Sequence, residues 1–219
     1  MLKQVGLIII GLFLITLSYG QSLTFQTGIS LSQLNWKTGS NNLFTDNKPL
    51  IGYSIFMGIN YFNRKYYNIT SNFGFIRKGT IGEVSDINGG KYQNVNAQYT
   101  NIVKPKLDYF SFNTVIDVKY PLPNKMSPFV SIGPRIDYLL NYSKDFEWLK
   151  NKNSLKDISY GLIIGTGIKY ELSKIEVGIR ADYYLNFNDI AEWNPKDGNA
   201  GVNIKDNTFT INLLIVLKR

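Results

Sequence analysis

The chain contains neither cysteine nor histidine. Without a thiol there is no disulfide, no thiolate metal ligand and no cysteine to carry a lipid anchor behind a cleaved leader. Without an imidazole, the commonest general base and the commonest metal ligand are also missing. A carboxylate pair could still catalyse, but the loop stretches "SDIN" and "NPKDG" offer no fixed geometry for one. No glycine-rich phosphate loop or calcium-loop pattern is present, and "NGGKY" reads as a turn. The expectation is a non-enzymatic protein with no cofactor and no metal site. The sequence also lacks a Pro/Ser-rich linker and any low-complexity tract that would divide it.

The first residues, "MLKQVGLIIIGLFLITLSYGQS", set one basic residue, Lys3, before an apolar run from Val5 to Leu17 and small residues at Ser18 and Gly20. The run is shorter than the roughly 20 apolar residues a helical span needs. It has the three-part layout of a secretory signal. Residues 1–20 are therefore expected to be a cleaved leader, and 21–219 a single domain outside the cytoplasm. Removing the leader leaves 23 basic and 16 acidic residues, a balance of +7. Nucleic acid does not explain that excess in an exported protein. Outer-membrane lipid and lipopolysaccharide are the expected anionic neighbours, with a merely solvated basic surface as the other reading of the charge.

Eight stretches alternate apolar and polar residues with a period of two, the mark of strands with unlike faces. They run over roughly 22–34, 49–62, 66–78, 107–120, 127–141, 158–171, 174–187 and 206–218, and no segment carries helical periodicity. The connections alternate too: those at 63–65, 122–127 and 172–173 are tight, and those at 35–48, 79–106, 142–157 and 188–205 are long. The fold class predicted is all-β, an eight-stranded antiparallel up-and-down transmembrane barrel with periplasmic turns, outward-facing loops and both termini in the periplasm.

Alternation alone does not say which face points inward, and a soluble lipocalin-like barrel would bury the apolar one. Two features favour the opposite arrangement. The polar face repeatedly uses glycine, as at Gly133, Gly161, Gly165, Gly167 and Gly178, which relieves crowding inside a narrow lumen. The apolar face carries tyrosines near strand ends, including Tyr53, Tyr67, Tyr120, Tyr138, Tyr160 and Tyr170, as aromatic girdles do.

"GPRIDYLLN", Gly133 to Asn141, is echoed by "GIRADYYLN", Gly178 to Asn186. With the apolar face in lipid, both Arg-x-Asp units point into the lumen, where the planar guanidinium can hold carboxylates by paired hydrogen bonds. The expected lumenal charge network comprises Asp117, Lys119, Arg135, Asp137, Lys169, Glu176, Arg180 and Asp182. A two-residue turn at Leu172 and Ser173 would set Glu176 opposite Lys169 and Arg180 opposite Gly165, and the two Arg-x-Asp units would meet over the glycines of the strand between them. Balanced charge in a narrow barrel reads as a plug, with a gated ion or proton path, or a small ligand-binding barrel, as the alternative. Pro134 removes one ladder hydrogen bond, for which a bulge beside Gly133 is one remedy. Trp36, Trp148 and Trp193 lie in or beside long loops and are candidate binding anchors, with an interfacial belt as the other reading.

The leader, "SPFVSIGPRIDYLLN" and the glycine-rich hairpin "YGLIIGTGIKYELSKIEVGIRADYYLNFNDI" resemble the PorT-like family of small outer-membrane β-barrels from Bacteroidetes. The resemblance implies an eight-stranded outer-membrane barrel and raises a protein-secretion or surface complex as a partner.

Overall fold

The computed structural model describes residues 22–38, 41–42, 46–85, 100–193 and 201–218. The expected leader lies outside them. Eight long strands dominate: β1 (Ser22–Thr38), β2 (Asp46–Asn63), β3 (Tyr67–Ser85), β4 (Lys106–Lys119), β5 (Met126–Tyr142), β6 (Ile158–Glu171), β7 (Ile175–Asn186) and β8 (Val202–Leu217). Each pairs antiparallel with the next, and β1 pairs with β8 from Leu23↔Leu217 to Thr38↔Val202, which closes the barrel. Closure leaves no long edge with unpaired backbone groups, the condition for a sheet to sit in hydrocarbon.

The faces divide as the alternation requires. Ile132, Ile164, Ile179, Ile211 and Leu213 are exposed on the outside, while Asn72, Asn113, Ser131, Thr210 and Asn212 are buried inside. A soluble lipocalin-like barrel would show the reverse. Turning a buried arginine such as Arg180 out to lipid near the midplane would cost about 2–4 kcal/mol, so the register is strongly set. Tyr53, Tyr67, Tyr120, Tyr138, Tyr160 and Tyr170 all lie exposed on the outer wall.

β1, β2, β3 and β8 outrun their sequence-based limits at the loop end, while β6 and β7 keep to theirs within a residue. β3 is 19 residues long, about 60 Å of extended chain, whereas a tilted membrane strand needs only about 9–11 residues. Three short strands continue the sheet there. Asn41–Asn42 pairs with the end of β1, Thr100–Val103 with the end of β3, and Ala191–Trp193 with the start of β8. The connection after β5 holds a 3-10 turn, Lys144–Phe146, and one short helix, α1 (Glu147–Asn151), where the sequence shows no helical period. Five residues are too few to display one.

Pro134 sits in the wall without a bulge beside Gly133. The β4–β5 ladder lapses between Asn113↔Arg135 and Ile116↔Ile132 and resumes in the same register, while the β5–β6 ladder runs through Pro134↔Leu162. The cost is a local gap in the ladder. Gly133 helps to close it, because a side chain there would meet the Thr114 carbonyl and stand 2.7 Å from the Val115 Cα. The irregularity in this pair of strands falls instead between Asp108 and Tyr109.

Candidate functional site

Two sets of four charged side chains fill the lumen. In the set nearer the turns, Asp117 accepts from Lys169 at 3.0 Å and from Arg180 at 3.1 Å, and Asn68 donates to it at 2.9 Å. Arg180 also donates from Nε to Asp182 at 2.8 Å and from Nη2 to Ser131 at 3.0 Å. Two cations meet two anions. Side-chain exposure of all four is 5 % or less.

In the set nearer the loops, Lys78 donates to Asp206 at 2.7 Å and to Asp137 at 3.0 Å. Arg135 bonds both Asp137 and Asn186, and Asn186 donates on to Asp206 at 3.1 Å. This set is balanced as well. The ring of Tyr184 lies 4.7 Å from the Arg135 guanidinium and 5.4 Å from the Lys78 ammonium. Each cation thus has carboxylate, amide or aromatic partners, which is what a buried charge needs to be tolerated.

The remaining lumen is neutral but hydrogen-bonded. Gln26 and Thr24 donate to Asn72 at 3.1 and 3.2 Å, Asn72 donates to Asn113 at 2.9 Å, and Ser54 donates to Asn212 at 2.5 Å. Above the charges, an apolar lid closes the loop end. Phe146, Leu149 and Leu155, from the connection after β5, are buried with Leu34, Trp36 and Ile204. Trp36 and Phe146 stack with ring centroids 5.1 Å apart.

Several expected placements change. The β6–β7 turn is Ser173–Lys174, since the Leu172 N–H donates to the Ile175 carbonyl at 2.8 Å. Glu171 therefore faces Glu176, Lys169 faces Gly178, and Arg180 faces Gly167. Lys169 does not pair with Glu176 but crosses the lumen to Asp117, and Glu176 binds Lys218 at 3.0 Å. Lys119 stands at the turn-end rim, donating to Asn63 at 2.7 Å. Each arginine binds its own aspartate, and among the described residues no ion pair joins one Arg-x-Asp unit to the other. Both arginines do reach over β6, Arg135 past Gly161 to Asn186 and Arg180 past Gly165 to Ser131. Trp36 is an inner-face residue, 4 % exposed, and is not a surface anchor. Trp148, 39 % exposed, packs edge-on against Trp193 with centroids 5.8 Å apart.

Lys78 and Asp206 were missed among the expected charges. The signal was available, because Lys78 continues the inner row of Asn72, Gly74 and Ile76, and Asp206 that of Thr208, Thr210 and Asn212. Both stand at expected strand ends, where the period is too short to read. Among the described residues no cluster of carboxylates could hold a metal ion.

A closed eight-stranded wall, apolar outside and ionic within, defines an outer-membrane type of β-barrel. The chain belongs to the outer membrane protein beta-barrel domain family, which it matches over residues 13–192, and so it is an outer-membrane protein. Its structure is similar to that of the outer membrane protein OprG from Pseudomonas aeruginosa, at 8% identity and a TM-score of 0.54, covering 91% of this chain and 97% of that one. It is also similar to AlkL, solved in DMPC lipid bilayers, at 11% identity and a TM-score of 0.50, covering 91% of each chain. At such identities these likenesses speak for the fold alone. No curated protein matches the chain in sequence.

Proposed function

We propose that this protein is a plugged, non-enzymatic barrel with a structural or accessory role in the outer membrane, exercised through its loop end. The observation that carries the reading is the pair of neutral ionic sets beneath an apolar lid. A steady water path through eight strands would need wall side chains that leave the axis clear, whereas here Lys78 on one strand binds both Asp137 and Asp206 on two others. Short turns and the paired chain ends, Leu23↔Leu217, share one end of the barrel, which we assign to the periplasm. The loop end, with Trp148 and Trp193, then faces outward toward lipopolysaccharide or a protein partner. The PorT-like resemblance makes a secretion or surface complex the first assembly in which to look. Planar-bilayer recording of the refolded protein tests the plug. No steady current is expected, and a stable unitary conductance would replace this reading with that of a small channel. Cross-linking from native membranes tests the accessory role, which fails if no protein is captured reproducibly.

A further inference from the structure

The outer wall is not uniformly convex. A groove of roughly 250 Å³ opens on its turn-end third, lined by Met126 on β5, Ile168 and Tyr170 on β6, Val177 and Ile179 on β7 and Leu213 on β8, with Gly178 among its lining. Its walls are almost wholly apolar, as an acyl chain requires. Two lysines stand where the chain turns away from it. Lys125 precedes Met126 and holds a left-handed backbone, φ 64°, with its carbonyl accepting from the Glu171 N–H at 2.9 Å. Lys174 lies in the β6–β7 turn, and its carbonyl accepts from the Lys218 N–H at 2.9 Å. The turns are thereby tied to the rim while both lysine side chains stay exposed. The nearby acids, Glu171 and Glu176, are both held by Lys218. Tyr120 and Tyr170 are exposed at the same end, at the level where aromatic girdles meet headgroups.

We infer that this groove is a binding site for one anionic diacyl phospholipid, with an acyl chain between Val177, Ile179 and Leu213 and the phosphate on Lys125 and Lys174. Because turns on the periplasmic side would put the groove in the phospholipid leaflet, the inference rests on the orientation proposed above. It is independent of whether the lumen conducts. A lysine at an anionic headgroup contributes a factor of roughly five in affinity. Zwitterionic lipid keeps the chain contact but gains less from the lysines.

Native mass spectrometry of the detergent-solubilised protein with equimolar phosphatidylglycerol and phosphatidylcholine tests this. One phosphatidylglycerol should be retained in preference to phosphatidylcholine by up to about 25-fold, the product of two such factors. Lys125→Gln with Lys174→Gln should bring the ratio close to parity. Val177→Trp, which fills the groove, should remove the retained lipid of either kind. Heat-modifiable gel migration checks that each variant folds, and Leu213→Trp fills the same groove from β8 if Val177→Trp does not. Equal retention of the two lipids by the unaltered protein overturns the site. So does undiminished retention in a folded groove-filled variant. Opposite sidedness in a labelling experiment would move the groove to the other leaflet and sink the orientation, while a lipid preference retained there would leave the chemistry standing.

Discussion

Arg180 on β7 reaches Ser131 on β5, Nη2 to Oγ at 3.0 Å, across a strand that offers only Gly165 at that point. Gly165 pairs with Ser131 on one side and Asp182 on the other. A side chain there would collide with the Asp182 carboxylate and come within 2.7 Å of Ser131 Oγ. Gly167, one inward position along, makes room in the same way for the Phe129 ring, which a Cβ would approach to 2.5 Å. The glycines of β6 thus hold the space in which the two arginine strands communicate.

Gly165→Ala should therefore destabilise the barrel by about 1–3 kcal/mol, the usual cost of overpacking a filled interior. Denaturant titration in lipid vesicles, read by the folded fraction on an unheated gel, gives the number. Gly58→Ala, on the neutral side of the lumen, is the companion, since the atoms it would crowd include the Asn72 and Thr24 side chains. It should cost stability without loosening Arg180.

Asp117 joins Lys169 to Arg180, at 3.0 and 3.1 Å. Replacing it with alanine removes the acid that Lys169 binds and leaves Arg180 with Asp182 as its carboxylate partner beside the Ser131 hydroxyl. Breaking a buried pair from one side costs about 3–5 kcal/mol. Asp117→Ala with Lys169→Met removes the orphaned charge as well and should recover a substantial part of that loss. Urea midpoints for the two single variants and the double form a cycle that checks this. Simple additivity would mean that the pair is not coupled.

The outer face makes a simpler test. Ile164 lies midway along β6, and arginine there should cost about 2–4 kcal/mol, falling to about 0–1 for Tyr170→Arg at the girdle. The same titration in vesicles reads both. Equal costs at the two positions would contradict a membrane band centred on Ile164.

Much of this architecture is legible in the residues, and the failures have identifiable causes. Period-two alternation separates Ile164 from Gly165 and Ile179 from Arg180, because lipid and lumen are such different surroundings. It cannot place the β6–β7 turn. Moving that turn by one residue, from Leu172–Ser173 to Ser173–Lys174, shifts the pairing by two and leaves every side chain on the same face. Lys169 opposite Glu176 and Lys169 opposite Gly178 are therefore equally good by pattern. Hairpin reasoning also sees only neighbouring strands, whereas Lys78 and Asp206 meet across the lumen from 128 residues apart. Trp36 misleads for a related reason. Its sequence neighbourhood reads as a loop, yet the β1–β8 ladder continues through Trp36↔Ile204.

The lid gives the last prediction. Trp36 is packed on Phe146 beneath the connection that carries α1, while Trp148 stands on the outside of that connection against Trp193. In variants that retain one tryptophan each, Trp36 should emit at the shortest wavelength and resist acrylamide, and Trp148 should be quenched readily. Phe146→Ala opens a space beside the Trp36 indole, and truncating a buried phenylalanine costs about 3–5 kcal/mol where the site is fully packed. Because Phe146 belongs to a connection and not to the closed ladder, the loss should appear in the lid first. Acrylamide should reach Trp36 in Phe146→Ala while the protein still migrates as a folded barrel on an unheated gel. If Trp36 stays protected, the lid is held by Leu149, Leu155 and Ile190 without Phe146. If the barrel itself unfolds, lid and wall are one cooperative unit, and the loop end cannot open without the strands beneath it.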